Sequence, residues 1–114
     1  MTTPRRLRRL ASTTVAALPD VDVRVAADPR ARLLGLAGLR ALPRDVGLLL
    51  PGTRSVHTLG MRFPLDLVWL DGAGRIVRID CMVRPGRVRG CRDARAVIEL
   101  AGCDEARRRP VVFG

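Results

Sequence analysis

A chain of 114 residues with 47% hydrophobic and 28% charged residues has the length and balance of one globular domain, and no stretch reaches the roughly 18 consecutive apolar residues of a membrane-spanning helix. The net charge of +10 is carried by 21 cations that are all Arg, and the chain has no Lys, Asn, Gln or Tyr, a bias that GC-rich coding produces. With Phe63, Trp69 and Phe113 as the only aromatic residues there is little for bases to stack on, so the charge is discounted as a nucleic-acid signature and such a partner is not expected.

Residues 1–19 open on the basic run Arg5 to Arg9 and read either as a short basic helix, with Leu7, Leu10, Thr14 and Leu18 on one side, or as a disordered arm. The basic start has a signal-peptide flavour, but Ser12, Thr13 and Thr14 break the apolar stretch and Pro19-Asp20 follows it, so export is not expected. Residues 20–114 are taken as one domain. Val21, Val23 and Val25 alternate with Asp22 and Arg24 as in a half-buried strand. Asp28-Pro29 then sets an N-cap and a first helical position for a helix running to about Arg40, with Leu33, Leu34, Leu36 and Leu39 as its stripe and Gly35 and Gly38 weakening it.

After Pro43, Val46 to Leu50 is short and apolar enough for a strand buried on both faces, and Pro51-Gly52 turns the chain. Ser55 to Met61 can extend as a strand. Leu65 to Leu70 is a strand, Asp71 to Gly74 a turn, and Arg75 to Val83 the hairpin partner, with Val77, Ile79 and Cys81 facing the core beside Leu65, Leu67 and Trp69. The Arg-rich stretch from Pro85 to Asp93 reads as an exposed loop and Ala96 to Ala101 as the last clear strand, leaving Val111 to Phe113 as the candidate for a closing one. Such strands, joined by Gly and Pro turns, predict a mainly β protein: an antiparallel sandwich or open barrel with one short helix.

Candidate chemistry concentrates between His57 and Asp66. A general base at His57, an orienting carboxylate at Asp66 and a hydroxyl at Thr58 would make a hydrolase-like set, but the G-x-S-x-G context that marks one is missing. Asp66 lies between Leu65 and Leu67, and Glu99 between Ile98 and Leu100, so both acids read as partly buried groups that backbone N–H groups, His57 or an Arg must satisfy. Met61 reads as core packing. Cys81, Cys91 and Cys103 match no zinc spacing, and with one histidine in the chain no metal or other cofactor is expected. Reduced thiols suit a cytoplasmic protein. Cys81 reads as a buried, inert thiol, while Cys91, among Arg89, Arg92 and Arg95, is the candidate reactive one.

Arg32-Leu33-Leu34-Gly35-Leu36, Leu42-Pro43, Gly47 to Leu50, His57-Thr58-Leu59-Gly60-Met61-Arg62-Phe63-Pro64-Leu65-Asp66, Leu70-Asp71, Gly74 to Val77 and Val97 to Leu100 follow one another in the order and spacing of domain-of-unknown-function family 192. The chain resembles the family's His-Thr-x-Gly-Met branch over about residues 23 to 102, and departs from it after Leu100, where Ala101-Gly102-Cys103 replaces the usual Pro-Ala-Gly. The resemblance implies a jelly-roll-like β-sandwich with a short helix in its N-terminal half, and no activity. The functional expectation is a non-enzymatic module binding a small ligand or a protein through His57, Thr58, Met61, Arg62, Asp66 and Glu99. The alternatives are a hydrolase-like enzyme using His57 and Asp66, and an anionic-surface or nucleic-acid binder using Arg84 to Arg95 and the N-terminal Arg cluster.

Overall fold

The alternating and continuous apolar runs become strands in the computed structural model, which describes residues 2–102. The elements are α1 (Arg5–Arg8), β1 (Ala11–Val15), β2 (Leu18–Val25), α2 (Pro29–Leu34), β3 (Val46–Pro51), β4 (Ser55–His57), β5 (Leu65–Leu70), β6 (Ile76–Val83), β7 (Val88–Gly90) and β8 (Ala96–Ala101). Six strands form one sheet in the order β1-β2-β3-β8-β5-β6, and β4 pairs with β7 in a separate two-stranded sheet. The fold is mainly β, as the residues predict. The main sheet is mixed rather than wholly antiparallel, because α2 and its flanking turns carry the chain back so that β3 runs parallel to β2. No described helix is long and apolar enough to cross a membrane.

Several boundaries differ from the sequence reading for local reasons. The Asp28 carboxylate caps α2 by accepting the Ala31 N–H at 2.7 Å, but the helix stops at Leu34 rather than near Arg40. Gly35, at φ 49°, takes a conformation that β-carbon-bearing residues avoid and leads the chain out of the helix. Within 1–19 the chain forms the single turn α1 and then β1, whose Ala11 and Thr13 pair with Val25 and Val23. The strand expected over Ser55 to Met61 ends at His57, and the loop expected between Pro85 and Asp93 contains β7, its partner. Val111 to Phe113 and Cys103 lie outside the described residues.

Both faces of the main sheet are buried. Leu48, Leu50, Leu65, Leu67, Trp69 and Val97 point to one face, covered by Leu7 of α1, Leu36, Leu42, Val56 of β4 and Met61. Leu18, Val23, Val68, Leu70, Ile98 and Leu100 form the second cluster, with Val15, Val21, Leu49, Ile76 and Ile79 against it. Every member of that cluster comes from the main sheet, so the sheet curls over its own face while staying open between β1 and β6. Each fully buried aliphatic side chain in these clusters contributes about 1.5–3 kcal/mol. Gly47 of β3 permits the curl: a β-carbon there would come within 2.8 Å of Leu100 Cδ2 and 3.0 Å of Ile98 Cγ2.

The β5–β6 hairpin overturns the expected register. Leu67 pairs with Asp80, Val68 with Ile79 and Trp69 with Arg78, so Arg78 and Asp80 share the Trp69 face while Ile79 joins the second cluster and Val77 is exposed. The buried indole explains the choice. Trp69 Nε1–H donates to Asp80 Oδ2 at 3.0 Å, the Arg78 guanidinium sits 5.6 Å from the ring centroid, and Arg78 pairs with Asp80 at 2.8 Å. An extra residue near Met82 then restores the phase, bringing Val83 opposite Leu65 and into the first cluster.

Candidate functional site

On the first face a cavity of about 360 Å³ opens between α2, the turn after it, β3, β4 and β8. Leu34, Leu36, Leu50, Val56 and Met61 make its walls apolar, and Arg32, Thr53, Ser55 and His57 add polar groups. Leu33 and Leu59 stand at its edge, 71% and 57% exposed. The two lips are tied together by the Gly38 N–H, which donates to the Gly60 carbonyl at 3.0 Å. Behind the turn, Arg6 Nη2 donates to the Ala37 carbonyl at 2.7 Å.

Glu99 projects from β8 into this cavity. Its cross-strand neighbours are Leu48 and Leu67, which puts its carboxyl on the first face, only 4% exposed. Its Oε1 is buried with no hydrogen-bond partner. The expected Arg partner is not there: among the described residues the ion pairs are Arg24–Asp22 and Arg78–Asp80. Burial without a cation pushes the carboxyl up to about 7, so it exchanges a proton near neutrality. The space over it depends on Gly35, where a β-carbon would lie 3.2 Å from Oε1.

The remaining sequence candidates divide between this cavity and the scaffold. His57 lines the cavity and is exposed, and Met61 lines it and is buried. Thr58 is buried as a clamp: its Oγ1 donates to the Arg84 carbonyl at 2.7 Å and accepts the Arg87 N–H at 2.8 Å, holding the turn between β6 and β7. Arg62 is exposed and outside the cavity lining. Asp66 lies on the opposite face of β5 from Leu65 and Leu67, paired with Leu100, and accepts the Met82 N–H at 2.8 Å. His57 and Asp66 therefore serve different faces of the sheet rather than one catalytic set.

Burial also exchanges the expected settings of the thiols. Cys91 packs in the first core cluster, its N–H donating to the Arg54 carbonyl at 2.8 Å, while Cys81 is half-buried. A sulfur shut into the core is withdrawn from the attackers a reactive thiol must meet. Among the described residues, no three His, Cys, Asp or Glu side chains gather as a metal would require. Sequence reasoning misses the segment from Arg32 to Ala37 as part of the site, although it forms a whole wall of the cavity. Gly35 inside an otherwise leucine-rich stripe is the available signal, because a glycine there weakens the helix and frees space.

A family model described as uncharacterized ACR, DUF192, matches residues 11–109. Among solved structures, a Sinorhizobium meliloti protein described provisionally as a transcription regulator is 26% identical, with a TM-score of 0.69 over 76% of this chain and 73% of that one. A protein of unknown function from Novosphingobium aromaticivorans shares 16% identity, with a TM-score of 0.69 over 94% and 92% of the two chains. No curated protein matches the sequence.

Proposed function

The chain belongs to the DUF192 family, and from that premise we propose that it is a small-ligand-binding protein whose site is the Glu99 cavity. One observation carries the reading: the Glu99 carboxyl is buried, has an oxygen without a partner, and faces a cavity with apolar walls. Buried polar groups are otherwise almost always satisfied, and a concave, mainly apolar site with a few placed polar groups is the usual form of a small-molecule pocket. A ligand with a hydrogen-bond donor at one end and an apolar body satisfies the carboxyl and covers the leucines at the edge.

Binding is preferred over hydrolysis because the Asp66 carboxylate is engaged with backbone on the far side of β5. A cytoplasmic setting is supported by Cys91, a free thiol packed in the first core cluster. The description of the Sinorhizobium relative supplies the second reading, an anionic partner, for which the exposed Arg84, Arg87 and Arg92 around β7 would be the contacts. Fragment titration followed by amide NMR separates the readings. Small apolar fragments carrying a donor should shift Leu36, Leu50, Val56 and Glu99; shifts confined to other parts of the chain would refute the pocket reading.

A further inference from the structure

We infer that the ligand seated over Glu99 is an aliphatic primary amine, bound as its ammonium ion. This rests on the pocket reading and adds the ligand's charge and body. Glu99 lines the cavity and keeps one oxygen, Oε1, buried beside Gly35 without a partner, and no ion pair among the described residues includes it. Arg32 from α2 and His57 from β4 line the cavity with it, and Arg6 of α1, behind the Gly35 turn, gives its Nη2 to the Ala37 carbonyl and leaves its buried Nε without a partner, at no ion-pair distance from Glu99.

A desolvated carboxylate is compensated best by a ligand that brings its own positive charge. A charge-assisted N–H···O bond is about twice as strong as a neutral one, and an ammonium offers three donors where an alcohol offers one. A ligand carboxylate would place like charges together in a low-dielectric site. The walls choose the body: Leu36, Leu50, Val56 and Met61 are aliphatic, and no Phe, Tyr or Trp lines the cavity, so a flexible hydrocarbon chain fits better than a ring that would seek stacking.

The sign of the pH dependence comes from the carboxyl's shift to about 7. Alkylammonium groups, like Lys, stay charged up to about pH 10, so the amine preference is full when Glu99 is ionised and fades as pH falls and Glu99 takes up a proton. His57 and Arg32 also line the cavity, so a variant that silences Glu99 alone isolates its share of the preference.

Calorimetric titration of the full chain with hexylamine, hexanol and hexanoate tests the assignment. At about pH 8.5 hexylamine should bind at least about tenfold more tightly than hexanol, with hexanoate weakest, and at about pH 5 the amine-to-alcohol ratio should fall to about threefold or less. E99Q keeps the size and removes the charge: it should retain hexanol affinity and lose the amine preference at the higher pH. Should that variant not fold, the pH dependence of the parent's ratio decides alone. Hexanol or hexanoate binding as tightly as hexylamine at the higher pH, or an amine preference that survives E99Q, overturns the amine assignment and leaves the pocket standing. Binding of none of the three overturns the pocket reading and the amine with it.

Discussion

Asp66 and Met82 meet at the irregular end of the β5–β6 hairpin: the buried carboxylate accepts the Met82 N–H at 2.8 Å, at the only described non-glycine residue with positive φ, 54°. The extra residue on β6 breaks the ladder there, and its N–H turns to a side chain instead of a strand. Asp66→Ala should therefore lower stability by about 1–3 kcal/mol for each donor stranded, and Asp66→Asn, which keeps an acceptor, by less. Urea midpoints measure both; an unchanged midpoint for the Ala variant would sink the structural role. Met82→Gly should hold or raise the midpoint, since a left-handed residue with a β-carbon costs about 1–2 kcal/mol and Met82 is half exposed.

Glu99 makes stability depend on pH in the opposite sense from a paired acid. Its ordinary value of 4.5 applies to the unfolded chain and about 7 to the folded one, so between those values the unfolded state holds fewer protons and stability falls as pH rises. The loss is about 3 kcal/mol across that window and constant above it. Glu99→Gln should flatten the profile, matching the parent near the lower end and exceeding it at about pH 8. Asp22, lowered by its bond from Ser12 and then by Arg24, and Asp71, lowered chiefly by the Arg75 N–H, stabilise fully above the ordinary 3.8 and lose that contribution only as pH falls below it. Thermal unfolding from acid to mildly basic pH checks the sign.

Gly47→Ala should destabilise by about 1–3 kcal/mol, because the added carbon overlaps Leu100 and Ile98 in the middle of the sheet, where neither can swing out to solvent. Denaturant midpoints test this; a variant as stable as the parent would mean that the curl yields more easily than the packing implies.

The cationic surface should behave as a solvated one. Affinity for DNA or RNA near physiological salt should stay within the non-specific range of about 10⁻⁴ to 10⁻⁶ M, and Arg87, Arg89 and Arg92 exchanged together for Ser should leave the unfolding midpoint within about 0.5 kcal/mol of the parent. A sequence-preferring complex in a salt-controlled binding assay would promote the nucleic-acid reading.

The sequence discloses the fold where burial sets a simple period. Leu65 to Leu70, Val46 to Leu50 and Ala96 to Ala101 are uninterrupted apolar runs or nearly so, and each is a strand close to its expected bounds. Period fails on β6, because an edge strand answers to a single partner: the Trp69 indole recruits Asp80, and the shift at Met82 brings Val83 back into phase. The site is half visible. Glu99 stands out as an acid between Ile98 and Leu100, but its lack of a cation is a fact about side chains brought from other elements, which spacing along the chain does not encode. The α2 wall is hidden for the same reason, its leucines fitting a helix stripe as well as a cavity lining.

The place of β8 in the sheet also sets an order of assembly. It pairs with β3 on one side and β5 on the other, yet it follows both in the chain. Until it inserts, β1-β2-β3 and β5-β6 are separate pieces, each with a bare apolar strand edge, the kind of edge that recruits neighbouring chains during folding. The joining step closes contacts distant in sequence, which makes it slow relative to the local hairpins, and it is the same step that carries the Glu99 carboxyl into the interior. Completion of the sheet and desolvation of that acid are one kinetic event, so bringing the refolding pH down toward the unfolded chain's 4.5, where the carboxyl starts to hold its proton before burial, should speed the docking of β8.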